Sequence, residues 1–411
     1  MYSMRLFLKS FLVFFLTSCQ SNFPAQEPTK INTEQITEDT KENPIVVGAE
    51  QLDALKLILG DKNIGLVGNQ TSRVGEVHLV DTLLATGLQL VKVFSPEHGF
   101  RGDADAGEYV ASDKDAKTGL PIVSIYGNNK KPSNAQLEGI DVLVFDLQDV
   151  GARFYTYIST LHYIMEAAAE NNIPVVVLDR PNPNGHYVDG PVRKKGYESF
   201  VGMHPIPIVH GMTVGEIAQM INGEKWLKNE VQCELTVISC LNYERDKPYS
   251  LPVSPSPNLR SDAAIQLYPG LCLFEGTSLS VGRGTERPFE VFGHPDLKGK
   301  PGFEYRFKPV SSYGAKNPKL QNQECYGRDL RAYADTTRIK AFEIQWLIEA
   351  YKAMESPDFF ITKNRWFDIL AGTDELRKQI IAGKSEAEIR ASWKDDLDAF
   401  KAMRKAYLIY K

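Results

Sequence analysis

Six short apolar runs, at residues 64–67, 88–94, 122–126, 142–145, 175–178 and 235–238, constrain the fold more than any other feature of this chain. They are nearly continuous in Val, Ile, Leu and Phe, and helical patterns lie between several of them. A strand that is apolar on both faces must be covered on both faces, which marks a parallel sheet with crossover helices. The spacing predicts a doubly wound, mostly parallel, Rossmann-like α/β domain. Two of the helices carry their own signals. Residues 157–170 set Ile158, Leu161, Met165 and Ala168 on one side, and Thr213-Val-Gly-Glu216 is a capping box ahead of Ile217, Met220 and Ile221.

The pattern changes after about residue 260. Segments 271–292 and 303–325 are rich in Gly and aromatic residues and read as irregular strands and loops. Single cores stop growing near ~250 to 300 residues, so 411 residues call for a second domain. The expected division is 45–260 for the Rossmann-like part and 261–411 for a smaller α+β part. The latter closes on helices: Ile339, Phe342, Trp346 and Ala350 recur at helical spacing. Ser385-Glu-Ala-Glu388 caps a final helix carrying Ile389, Trp393, Leu397, Phe400 and Tyr407.

The first 19 residues stand apart from the fold. Arg5 and Lys9 flank and interrupt an apolar stretch at 6–16, too short to span a bilayer and of the size of a signal peptide. It ends in Leu16-Thr17-Ser18-Cys19, which resembles the bacterial lipobox and by that resemblance makes Cys19 a lipidated residue. The alternative is an ordinary secretory signal with a chance cysteine. Residues 20–44 are polar and read as a flexible tether. The expectation is an exported, membrane-anchored lipoprotein facing the periplasm, with the cell surface as the other location. The remaining cysteines, Cys233, Cys240, Cys272 and Cys325, read as buried free thiols. A strand between Cys233 and Cys240 holds those two some ~20 Å apart. With 47 basic and 52 acidic residues the net charge is −5, which gives no footprint for nucleic acid.

Ligands of a parallel α/β sheet bind beyond the carboxyl ends of its strands. The polar residues there are Asn69-Gln70-Thr71, then Glu97-His98 and Arg101 in a glycine-rich loop, then Asp146 to Arg153 with Tyr155 and Tyr157, then Asp179-Arg180-Pro-Asn182-Pro-Asn184, followed by His204 and His210. Each has a structural alternative. Asn182 and Asn184 alternate with prolines and equally suit turns. Asp146 and Asp179 equally suit helix caps or pairs with Arg153 and Arg180, and Tyr155 and Tyr157 equally suit the core.

No metal-ligand spacing occurs among the seven histidines, no G-x-G-x-x-G or P-loop follows a strand, and no G-x-S-x-G elbow is present. No cofactor is therefore expected. Carboxylates in a polar, aromatic-lined cleft point to glycoside hydrolysis, in which one carboxyl protonates the leaving oxygen and another acts as nucleophile or base. Glu97 is the first choice. The second group lies among Asp149, Asp179, Glu275 and Glu286.

Longer motifs carry a resemblance. PEHGFRGDADAG at 96–107, DLQDVGARFYTY at 146–157, DRPNPNGHYVDGP at 179–191, MHPIPIVHGMT at 203–213 and LFEGTSLSVGRGTERPFEVFGHP at 273–295 are similar to those of the bacterial exo-β-N-acetylmuramidases, from about residue 45 to the end. The resemblance implies a Rossmann-like domain with a smaller partner. It also implies release of terminal N-acetylmuramic acid from the non-reducing end of peptidoglycan fragments, with Glu97 of the PEHG motif as the catalytic glutamate. Such a substrate bears a lactyl carboxylate, which suits arginine. The candidate catalytic set is then Glu97, His98 and Asp149. The candidate binding set is Arg101, Arg153, Tyr155, Tyr157, Asn182, Asn184, His210, Glu275, Arg283, Glu286 and Arg287. Two rivals stand beside this reading: a lipoprotein that captures muropeptides without cleaving them, and a hydrolase for another amino sugar.

Overall fold

The computed structural model describes residues 43–97, 99–101, 113–361 and 363–411. The leader, Cys19, the tether up to residue 42 and His98 lie outside the described residues.

The apolar runs form one sheet: β1 (Ile64–Gly68), β2 (Leu90–Ser95), β3 (Asp113–Lys114), β4 (Pro121–Ser124), β5 (Val142–Asp146), β6 (Val175–Leu178) and β7 (Leu235–Ile238). Its order is β7-β6-β5-β1-β2-β4-β3. All neighbours are parallel except β3, a two-residue antiparallel edge against β4. Alternate residues bury on opposite faces. Val67, Phe94, Leu143, Phe145, Val175 and Val177 join one apolar cluster with helices Tyr157–Glu170 and Val214–Gly223. Ile64, Leu66, Val93, Val142, Val144, Val176 and Leu178 join the other with helices Leu52–Leu59 and Leu79–Ala85. Period-2 geometry on a sheet covered twice requires this division.

The winding reverses between β1 and β5, which places a crevice beyond their carboxyl ends. The register puts those ends in one row: Gly68 lies opposite Asp146, Val67 opposite Phe94, and Ser95 opposite Ser124. Loops leaving β1, β2, β4 and β5 therefore start side by side.

The smaller domain holds a three-stranded antiparallel sheet, β8 (Val291–His294), β9 (Tyr305–Phe307) and β10 (Cys325–Asp329), in the order β8-β10-β9, surrounded by helices. Its Phe274, Phe292, Phe342 and Phe367 are buried in the same cluster as Val67, Phe94, Leu143 and Phe145 of the large sheet. The four cysteines among the described residues are free and buried. No helix among the described residues is long and apolar enough to cross a membrane.

Two helical expectations need correction. The helix assigned to 339–350 starts only at Gln345. Phe342 instead donates its N–H to Asp189 (2.8 Å) and accepts from Arg390 (2.6 Å), so its backbone is committed to other elements. The final helix is two, Glu386–Ser392 and Lys394–Arg404, separated at Trp393 (φ −109°, ψ 7°). The Ser392 hydroxyl bonds the Ile389 carbonyl at 2.6 Å, which competes with continuation of the first helix.

Candidate active site

The row of strand ends leads into a cavity of about 240 Å³ lined from both sides of residue 260. From the large domain come Glu97 after β2, Tyr126 after β4, and Phe154 to Tyr157 after β5; Ser256 and Leu259 follow from the link. From the small domain come Tyr268, Glu275, Arg283, Phe289 and Trp366. Ligand pockets usually measure ~300 to 1,000 Å³. This one has room for about one small unit.

Glu97 accepts a hydrogen bond from the Tyr126 phenol at 2.9 Å. Burial first, and then the adjacent carboxylate, raise the Tyr126 phenol above its usual range, so it stays a neutral donor. Tyr157 is buried with its hydroxyl accepting from the Asn69 amide at 2.7 Å, and Tyr155 donates to the Pro255 carbonyl at 2.7 Å. The two rings meet edge to face at 4.9 Å. Both phenols are raised, mainly by burial, and hold their protons. These tyrosines serve as core aromatics and as cavity wall at once.

The opposite wall carries an ion pair. Arg283 Nε donates to Glu275 Oε1 at 2.5 Å, and its guanidinium lies 4.8 Å from the centroid of the Phe289 ring. Lys319 reinforces the turn that presents Glu275. Its ammonium donates to the carbonyls of Phe274, Glu275 and Thr277, capping the short helix Cys272–Gly276 where its free carbonyls end. Burial is the largest influence on that lysine and pulls it down to about 8.

Several candidates lie elsewhere. Asp149 does not line the cavity. It is 3% exposed, its Oδ2 accepts from Gly151 N–H at 2.6 Å, and burial raises its carboxyl to about 7. His210, fully buried, has Nε2 3.8 Å from Asp149 Oδ2 and is lowered to about 3, by burial first and then by nearby arginines. Asn182 and Asn184 take the turn alternative. Asn184 N–H bonds Asn182 Oδ1 at 2.8 Å, and both amides donate to buried carbonyls. Gly151 (φ 77°) packs so closely on Asn182 that any Cβ there would collide with its amide.

Arg153 is fully buried and donates through Nη1 and Nη2 to the carbonyls of Pro191, Ile206 and Leu370. Arg101 is held bidentately by Asp115 (2.7 and 2.8 Å) beside a separate surface hollow. Glu286 and Arg287 are exposed and outside the cavity, the latter 3.8 Å from Glu290. Asp146 pairs bidentately with Arg180 (2.6 and 2.9 Å). Asp179 caps helix Val214–Gly223 through Gly215 N–H at 2.8 Å. Of the four carboxylates weighed for the second role, only Glu275 reaches the cavity.

Sequence reasoning passed over Tyr126, Tyr268, Phe289 and Trp366. Tyr126 was accessible to the strand-end rule, because it stands one residue past Ile125, which hydrogen-bonds the carbonyl of Ser95. It hid as the last apolar member of a run. His162 and His204, whose ring nitrogens lie 3.1 Å apart in the core, were not linked by any spacing signal.

Comparison with known proteins places this geometry in a family. Residues 64–263 match the N-terminal model, and residues 266–410 the C-terminal model, of the family described as exo-beta-N-acetylmuramidase NamZ. The peptidoglycan beta-N-acetylmuramidase NamZ of Bacillus subtilis (strain 168) is 40% identical over 371 residues, covering 86% of this chain and 88% of that protein. Two crystal structures of DUF1343 family proteins from Bacteroides fragilis NCTC 9343 superpose. One has a TM-score of 0.81 at 46% identity, covering 90% of this chain and 99% of that one. The other has a TM-score of 0.74 at 30% identity, covering 89% and 99%. The chain therefore belongs to the exo-β-N-acetylmuramidase family of glycoside hydrolases.

Proposed function

We propose that this glycoside hydrolase removes N-acetylmuramic acid from the non-reducing end of peptidoglycan fragments such as its disaccharide with N-acetylglucosamine. The observation that carries the reading is one small cavity with two carboxylates, Glu97 and Glu275, on walls contributed by both domains, and one lining arginine, Arg283, among the described residues. A cavity with room for about one sugar unit suits exo action. Two carboxylates meet the need of glycoside hydrolysis for one group at the leaving oxygen and one at the anomeric side. Glu97, oriented by Tyr126, is the principal catalytic carboxylate, with His98 next to it in sequence, and Glu275 is the second. Asp149 is left out of the chemistry because it does not line the cavity.

Arg283 is our choice for the lactyl carboxylate. Of the four arginines considered, it alone lines the cavity, and its side chain keeps 25% exposure despite the bond to Glu275. Replacing Arg283 with Ala is expected to lower kcat/KM about 10- to 100-fold on the muramic disaccharide, the worth of a charge-assisted bond. The loss should be much smaller on the N,N′-diacetylchitobiose disaccharide, which lacks the lactyl group. Equal loss on both would remove Arg283 from substrate selection.

The Leu16-Thr17-Ser18-Cys19 sequence supports lipidation at Cys19. Anchored there, with residues 20–44 as tether, the body would face the periplasm and meet wall fragments at the membrane surface.

A further inference from the structure

Trp366 is the one exposed residue among those lining the cavity, at 37% exposure, whereas Tyr155, Tyr157, Tyr268 and Phe289 are all buried. Among the four tryptophans, Trp346 and Trp393 are buried and Trp226 is half-buried. Among the described residues, no other ring and no cation packs on the Trp366 indole, while the neighbouring Phe200 is already engaged by Tyr163 (6.2 Å) and by Lys130 (4.7 Å). An unstacked aromatic ring partly open to solvent on the wall of a cavity that holds two carboxylates offers a face for a sugar ring.

The backbone is bent to put it there. Asn364 (φ 57°) and Arg365 (φ 55°) are consecutive left-handed residues, neither of them glycine, immediately before helix Trp366–Ala371. Such conformations persist only where the surroundings enforce them. Here Arg365 lies 4.3 Å from the Tyr197 ring, and Phe367 turns inward against Phe360 at 4.6 Å. With Phe367 in the core, Trp366 is held outward.

We infer that Trp366 forms the aglycone subsite, a platform for the apolar face of the pyranose ring of the leaving amino sugar. This rests on the hydrolytic reading of the cavity. An exo-acting site must hold the terminal sugar in its enclosed part, among the buried tyrosines, and let the leaving sugar emerge at the open lip. Trp366, the most exposed of the lining residues, is suited to that position. A flat aromatic face favours a ring whose axial hydrogens form an apolar face, as in an N-acetylglucosamine unit, and discriminates poorly between substituents at its edge.

The test compares the muramic disaccharide with the methyl β-glycoside of N-acetylmuramic acid, whose leaving group has no ring to stack. Trp366→Ala is expected to lower kcat/KM on the disaccharide about ten- to thirty-fold, chiefly through KM, and to change the methyl glycoside less than about threefold. Trp366→Phe, which keeps a ring, should recover most of the loss and serves as the reading if the alanine variant folds poorly. Equal loss on both substrates by both variants, or no loss on the disaccharide, would overturn the subsite. Failure of the unaltered protein to cleave either compound would instead overturn the hydrolytic reading, and the subsite with it.

Discussion

Replacing Asp149 with Asn is expected to stabilise the protein above neutral pH while leaving hydrolysis nearly intact. Asp149 is 3% exposed, its Oδ1 has no hydrogen-bond partner, and the neighbouring His210 is uncharged. Burial raises the carboxyl to about 7, some three pKa units above an ordinary aspartate, or about 4 kcal/mol. The sign follows from which state holds the proton. Between about pH 4 and 7 the folded chain keeps a proton that the unfolded chain has released, so stability falls as pH rises through this window, and the full cost is present above it. Asparagine cannot ionise and keeps an acceptor for Gly151 N–H.

The variant and the parent should therefore melt alike near pH 4 and diverge upward. By pH 8 the variant should gain up to about 4 kcal/mol, or roughly 5 °C in Tm for a chain of this size. Scanning calorimetry across that range, paired with kcat/KM on the muramic disaccharide, makes the measurement. Activity within about threefold of the parent is expected. Unchanged melting at pH 8 would refute the burial argument. A loss of activity above about 100-fold would return Asp149 to the chemistry.

Arg153→Met should cost about 2 to 4 kcal/mol in urea unfolding, because the buried carbonyls of Pro191 and Leu370 lose the guanidinium while that of Ile206 keeps only the Arg193 N–H; unchanged stability would contradict its role as a brace. Metabolic labelling with radioactive palmitate should mark the full chain and not its Cys19→Ala variant, and equal labelling of both would remove Cys19 as the anchor.

Much of the large domain was legible because its strands are apolar on both faces, a pattern that few other arrangements tolerate. Helix Tyr157–Glu170 and the Thr213–Glu216 capping box appear where their local signals put them. The errors fall where apolar spacing runs on across a backbone break. Trp393 and Leu397 keep helical spacing, and only the hydroxyl of Ser392 and the dihedral angles at Trp393 reveal the stop. Ile339 and Phe342 likewise share the rhythm of the helix at Gln345 without joining it.

The candidate site divides in the same physical way. Sequence shows which strand end a residue follows, and that rule led to Glu97, Tyr155 and Tyr157. It does not show which way a loop turns. After β5 the chain folds inward over Gly151 against Asn182, so Asp149, Arg153, Asn182 and Asn184 are buried as bracing while Tyr155 and Tyr157 face the cavity. Glu275 and Arg283 reach the same space from a distant segment; the carboxylate argument had named Glu275 as one of four, and Arg283 was reached only through its motif. Trp366 opens the segment WFDILAGTDELRKQI at 366–380, which resembles the family, but no strand end or apolar period marked it as a cavity residue, and its exposure depends on the left-handed turn before it.

Glu97, in the cavity between the strand ends and the small domain, is the carboxylate proposed to drive cleavage of the muramyl bond. Mass spectrometry of products from the muramic disaccharide, run beside Glu97→Gln, tests it most directly. The unaltered protein should release both monosaccharides and the variant neither. Binding without cleavage by the unaltered protein, or undiminished cleavage by Glu97→Gln, would contradict it.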